Sequence, residues 1–367
     1  DTGEFLGDFV SCADTERDTF FFEPNSYALY RLNKMSLEVE LMIDLFEVYG
    51  IYTHFPILVR YGEDIIVIPE MVNKDWIIYD IRKEKYRKIK SPVETECRYL
   101  EAIVQSECLY LLPGTIKYPI IVVNLKNYQV IEAKNIRDVG AVADHGLNGI
   151  NSETPCWGWS DDGENLFCPI KGTTYAYFGK KGIKEFGFTV NIMFADPDGI
   201  WIVPDEKKCL FKCDSNGNIC WEKEIPYPSL KGHFDKMTAG GEYLYIFSSE
   251  DSAVVVCNKD SREISLVKAE RDELFRPFIA GNIPVPYWYS GIYDEGIMIF
   301  PHRYRLRIIK EGKKEFEERI ITFGNSITSE EFFERVKKVN KQRKNWMFRE
   351  SETYSLKKYI EQITYTQ

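Results

Sequence analysis

The sequence predicts an all-β fold, one closed ring of about seven four-stranded units over residues 1–326, with a short helical tail packed on it over 327–367. Three observations predict it. Short apolar runs recur with a common punctuation, aromatic residues make up 14% of the chain alongside many Ile and Val, and apolar residues at helical spacing enter only after Thr328.

The recurring unit is an apolar run that often ends in Pro, a polar loop, a second run ending in Asp, Asn or a substitute, and a charged turn into a third run. The clearest copy is Asp64 to Pro69, Trp76 to Asp80 and Tyr86 to Ile89. Leu109 to Pro113, Ile120 to Asn124 and Gln129 to Ile131 repeat it, as do Gly199 to Pro204, Cys209 to Asp214 and Ile219 to Trp221. Looser copies run from Phe22 to Asn33, Cys168 to Gly179, Phe247 to Asn258 and Phe300 to Lys310. The turn positions 33, 80, 124, 179, 214, 258 and 310 lie 35 to 55 residues apart, near the spacing of one four-stranded unit. Each copy is preceded by a further strand-like run: Phe9–Cys12, His54–Val59, Arg98–Val104, Cys156–Trp159, Asn191–Phe194, His233–Met237 and Tyr287–Ser290. Asn216-Gly217 signals a hairpin, because both residues tolerate positive φ, and makes the last two strands of its unit antiparallel.

Four strands per repeat at this spacing resemble β-propeller repeat proteins in general, and the Asp214 to Gly217 turn with Trp221 is similar to turns in quinoprotein-like propellers. The resemblance covers residues 1 to about 323 and matches no single family. There is no repeated Trp-Asp signature and no regular kelch diglycine, and Ser160 to Gly163 falls short of a strict Asp-box. The resemblance implies four-stranded blades around a channel, with two loop types of each blade gathered at one mouth as the default site. A pair of β-sandwiches, or a ring of six or eight blades, are the rival architectures.

In the tail, Thr328-Ser-Glu-Glu331 forms a capping box, and Phe332, Val336 and Val339 follow at helical spacing, with a second short helix expected from Ser355 to Ile363. Residues 329–367 hold nine Lys or Arg and six Asp or Glu, against a net charge of -10 for the whole chain. The tail therefore reads as a basic helix laid on an acidic ring by one apolar stripe, with an oligomer through these helices as the alternative use.

A chain this acidic lacks the electrostatic footprint of a nucleic-acid binder. No run reaches the roughly 18 apolar residues of a membrane span. The nine cysteines sit mostly in apolar runs, as buried thiols do in a reducing, cytoplasmic compartment, although a chain beginning at Asp1 leaves a removed leader open. Cys209 and Cys213 share a strand face without the short loop-borne pairs of a zinc site, so no metal and no cofactor is expected. No phosphate-binding glycine loop and no nucleophile elbow is present.

The expected mouth gathers aromatic and cationic side chains, and the residues predicted to hold a ligand are Arg98, Trp157, Trp159, His233, Lys236, Tyr287, Trp288 and Arg303. Guanidinium and ammonium groups beside flat rings suit a saccharide, a small anion or a peptide. Two long connections, 135–154 and 269–286, overhang the same mouth. The function expected is a ligand-binding or protein-interaction ring. The alternative is a carbohydrate-active lyase, hydrolase or transferase using His233 or His302 for proton transfer.

Overall fold

The computed structural model describes residues 12–23, 26–50, 56–69, 71–94, 99–136, 150, 152–205, 207–227, 229–230, 234, 236–248, 251, 253–268, 278–280, 283–285, 290–293, 296–299, 305–320 and 322–351. Six four-stranded antiparallel sheets follow one another in sequence, spanning 57–89, 99–134, 160–185, 190–224, 236–268 and 290–320. Ahead of them comes a five-stranded sheet. Its strands β1 (Cys12–Asp14), β2 (Asp18–Glu23), β3 (Ala28–Asn33) and β4 (Glu38–Ile43) form a meander, and the late segment Thr322–Phe323 adds parallel to β4. The expected seven four-stranded units are thus corrected to six. In the first sheet the chain's own late strand pairs with the outer edge of β4, and among the described residues no four-stranded sheet gains a strand there.

Within each sheet the strands are called A to D from the channel outward, and the sequence explains their order. The B and C strands pack a neighbouring sheet on both faces, so they read as unbroken apolar runs: Ile65–Ile68 and Trp76–Tyr79 are wholly buried. The D strands face water, and Gln129–Lys134 and Lys85–Ile89 are largely exposed, Val130 and Ile131 included. Neighbouring A strands touch at most of the seams, including β1 against both Ile57–Tyr61 and Ser290–Tyr293.

Each neighbouring pair of sheets shares an apolar cluster, and one of them joins Ile308 of the 290–320 sheet to Phe21, Tyr30 and Val39 of the first. Burying each such side chain contributes about 1.5–3 kcal/mol, so the ring is closed by packing as well as by the added strand. This arrangement is a β-propeller.

Helix α2 (Ser329–Ser351) begins at the expected capping box: Thr328 N–H donates to the Glu331 carboxylate at 2.8 Å and Glu331 N–H to the Thr328 hydroxyl at 3.2 Å. Phe332 and Val336 enter the cluster that closes the ring, while Val339 packs with Leu45 and Tyr27 between the first two sheets. Arg335 and Lys338 bond Asp44 and Glu47 at 2.6 and 3.3 Å, beside the short helix α1 (Leu45–Tyr49). The further helix expected at Ser355–Ile363 lies outside the described residues. No described helix is long and apolar enough to cross a membrane.

The Asn216-Gly217 turn differs in detail from its expectation. Gly217 alone of the pair has positive φ, +75°, and the Asp214 carboxylate organises the turn by accepting from the N–H of Asn216 and Asn218.

Candidate functional site

In a four-stranded meander the A–B and C–D turns share one end, and the B–C turns and blade-to-blade D–A connections share the other. The second end is the mouth. Here the A strand Tyr99–Gln105 carries Glu101, Ile103 and Gln105 on one face, because side chains alternate along a strand. That face meets the following sheet. Ile103 packs into the shared apolar cluster and Gln105 donates to Asp161 at 3.2 Å.

Glu101 meets backbone. Its two carboxylate oxygens accept from the N–H of Gly158 at 2.9 Å and of Trp159 at 2.7 Å. Gly158 has φ +85°, a conformation a strand does not use, and that is why the expected strand Cys156–Trp159 is an irregular approach to the short strand Ser160–Asp161. The approach is anchored by backbone bridges from Pro155 to Thr115 and from Cys156 to Ile170.

Burial pushes the Glu101 carboxyl above its ordinary range, and the two N–H groups, Lys236 and Lys171 pull it part of the way back. Burial likewise raises the neighbouring thiols of Cys156 and Cys168, with the Glu101 charge adding to it, so both are neutral near pH 7.

Lys171 leaves the B–C turn of the 160–185 sheet, places its ammonium 4.0 Å from the centre of the half-buried Trp157 ring, and donates to the Asn191 carbonyl at 2.5 Å. Asn191, on the A strand Val190–Asp196, passes the connection on by donating from Nδ2 to the Phe234 carbonyl at 3.2 Å. Two residues later Lys236 opens the A strand Lys236–Gly240. One chain of polar contacts thus runs from Glu101 through 158–159, Lys171 and Asn191 to Phe234. It crosses four consecutive sheets at a single end of the ring.

Of the eight residues predicted to hold a ligand, Trp157, Trp159 and Lys236 lie among the described residues. Trp157 lies under the Lys171 ammonium, and Lys236 acts on the same Glu101 carboxylate as Lys171 does. Trp159 does not present its ring: only 9% exposed, it packs 5.4 Å from Tyr177, and its indole N–H donates to the carbonyls of Pro113 and Cys156, both at 3.1 Å. Its contribution to the mouth is its backbone N–H. Arg98, His233, Tyr287, Trp288 and Arg303 fall outside the described residues, as do His302 and the remaining histidines, His54 and His145.

The sequence reading missed Glu101, although the signal was available. It is a lone charge in the run Tyr99-Leu-Glu-Ala-Ile-Val104, on an inner strand where a charge has to be compensated. Asn191 carried no such signal, because its role depends on which carbonyl the ring brings opposite it.

No family model matches the chain, and no curated protein does either. Solved structures match it as β-propellers. A streptogramin B lyase structure superposes with a TM-score of 0.54 at 11% identity, covering 81% of this chain and 91% of that one. The WD40 propeller domain of Doa1 gives 0.54 at 8% identity, covering 84% and 94%. Hsv2p of Kluyveromyces lactis gives 0.50 at 11% identity, covering 84% and 97%. At such identities the likeness shows the fold: this chain is a propeller repeat protein that matches no single family.

Proposed function

We propose that this chain is a binding propeller whose small-molecule, saccharide or peptide partner docks at the mouth where Glu101, Trp157, Lys171 and Lys236 meet. The observation that carries this reading is the polar chain across four sheets, which fixes the Lys171 ammonium, the Glu101 carboxylate and a half-exposed indole at one end of the channel, with Lys236 acting on the same carboxylate. Packing alone does not call for that combination. A rigid scaffold holding a few polar groups around a flat apolar surface is what recognition of a sugar or a small anion uses. Arg98, His233, Tyr287, Trp288 and Arg303 are further candidates for the same surface, being placed by the sequence at the starts of A strands or in a B–C turn. The free thiols of the described cysteines fit a reducing, cytoplasmic compartment.

The test is binding of oligosaccharides and small anions to the full chain beside Trp157→Ala and Lys236→Ala. Affinity should fall about tenfold or more in each while the melting temperature stays near that of the parent. Unchanged affinity in both variants removes the mouth as the site. Following the same mixtures for product separates a binding protein from an enzyme, and turnover abolished by His233→Ala or His302→Ala would assign proton transfer to a histidine.

A further inference from the structure

We propose that the mouth captures a small anion, a molecule carrying a carboxylate or phosphate group, on the ammonium groups of Lys171 and Lys236, with the Glu101 carboxylate as a built-in competitor for the same charges. The inference rests on the reading of the mouth as the binding site and names the ligand class for it.

The geometry points to an anion in three ways. First, Glu101 is held by backbone N–H groups, one on each oxygen, so its position is set by the 156–159 approach and both lysines act on it as neighbours. Second, Lys171 is fixed: its ammonium is pinned between the Trp157 face and the Asn191 carbonyl, which removes most of the side-chain entropy that a flexible lysine loses on binding an anion. Third, both lysines act on the Glu101 carboxylate, so positive charge is brought to this end of a chain whose overall charge is -10. In surroundings of reduced dielectric such a charge contrast selects an anionic group over a neutral one.

The groups facing Glu101 among the described residues are Lys171 from the B–C turn, Lys236 from an A strand two sheets further on, and the neutral thiols of Cys156 and Cys168. Glu101 is the carboxyl of this cluster, and its burial holds it above the ordinary range. An arriving anion and an ionised Glu101 repel each other. Binding therefore draws a proton onto Glu101, and affinity falls as rising pH ionises it.

The experiment is isothermal titration of the full chain with three sugars of one scaffold: glucuronate for the carboxylate, glucose 6-phosphate for the phosphate, and glucose as the neutral control. Glucuronate is ionised throughout, so its pH dependence reports the protein. It should bind about tenfold more tightly at about pH 5 than at about pH 8. Lys236→Gln and Lys171→Met should each weaken both anions about tenfold or more, whereas Glu101→Gln should tighten glucuronate at the higher pH and flatten the profile. Melting temperatures show which variants fold, and Lys236→Gln, at the start of its strand, carries the test if Glu101→Gln does not. Anion binding indifferent to both lysine substitutions overturns the proposal, and so does glucose binding as tightly as its anions. Glucose binding lost in Trp157→Ala would sink the anion claim and leave the mouth standing; binding of any sugar that ignores Trp157, Lys171 and Lys236 alike would sink both.

Discussion

At one end of the ring the C–D turns of four sheets repeat a single design, whereas at the mouth the connections differ: a helix of five residues after the first sheet, an irregular approach through 156–159 before the 160–185 sheet, and a hairpin of Phe278–Ala280 with Ile283–Val285 ahead of the last. In the repeated design an Asn or Asp ends strand C and accepts from N–H groups of its own turn, as Asn33, Asp80, Asn124 and Asn258 all do. The next residue donates its N–H back to the A–B turn, at 2.8 to 2.9 Å in each case. Four residues on, Leu37, Glu84, Tyr128 and Arg262 take positive φ. The contrast shows where the ring spends its regularity. One end holds the sheets in shape with local hydrogen bonds, and the other is released from that pattern and carries the charged and aromatic constellation.

The largest effect that could break this contrast lies at the mouth itself, between two tryptophans two residues apart. Trp159→Ala should cost about 3–5 kcal/mol, the usual scale for emptying a buried aromatic site, because its ring is core and its N–H is bonded. Trp157→Ala should cost about 1 kcal/mol or less and be felt in binding, since its ring is half-exposed and faces an ammonium. Denaturant melts of the two variants settle it. Equal losses would mean that the mouth is only core.

At the turn end the counterpart is Lys259, 8% exposed, which bonds Asp196 at 3.1 Å and also Asp198 in the A–B turn of the preceding sheet. Lys259→Ala leaves the buried Asp196 carboxylate without this partner. The expected cost is about 2–3 kcal/mol, below the figure for a fully buried pair because Asp198 is largely exposed to water. Guanidinium melts of the variant measure it, and a loss under about half a kcal/mol would show the turn end to be held by backbone alone.

How much of this was legible in the sequence follows the same division. The turn residues 33, 80, 124, 214 and 258 could be read because an Asx side chain satisfies a turn through its own short reach, a local rule written in residue type. The positive-φ residues could not, since Leu, Glu, Tyr and Arg give no sign of a left-handed conformation; the fold imposes it on them. The A strand that the sequence places at Cys156–Trp159 begins four residues later, at Ser160, because apolar and aromatic side chains mimic a strand while packing an irregular approach. At the mouth Trp157 and Lys236 were legible as residue types. Their meeting with Glu101 and Lys171 was not, because it comes from ring closure, which brings together residues of separate sheets.

Acid titration probes the mouth without any ligand. Glu101 has a folded-state pKa raised above its unfolded value, so the folded chain holds that proton more firmly and this group lowers stability as pH rises from about 4.3 through the folded pKa. Melting temperature against pH should therefore show a decline in the parent chain that is reduced in Glu101→Gln. A steeper decline in the variant would reverse the sign and place Glu101 among carboxylates stabilised by their surroundings.

The smallest expected effects pair one substitution from each end. Gly158→Ala puts a side chain at φ +85° where nothing lies within 4 Å of the new Cβ, so its cost is backbone strain alone, about 1–2 kcal/mol, and it loosens the N–H groups that hold Glu101. At the turn end, Glu84→Gly removes the same kind of strain at φ +50°. It gives up an ion pair with Arg31 at 2.9 Å whose Glu side chain is 59% exposed, a contact of little worth, and it adds the unfolded-state freedom of glycine. Relief and cost nearly offset, so Glu84→Gly should shift stability by less than about 1 kcal/mol, towards greater stability. Glu84→Val isolates the strain: its β-branched side chain is poorly suited to a left-handed residue, and it loses the same ion pair. Melting both variants beside the parent reads the difference. If valine is tolerated as well as glycine, the positive φ at the fourth residue after Asp80 is not what holds the turn, and the design common to this end of the ring reduces to its Asx side chains.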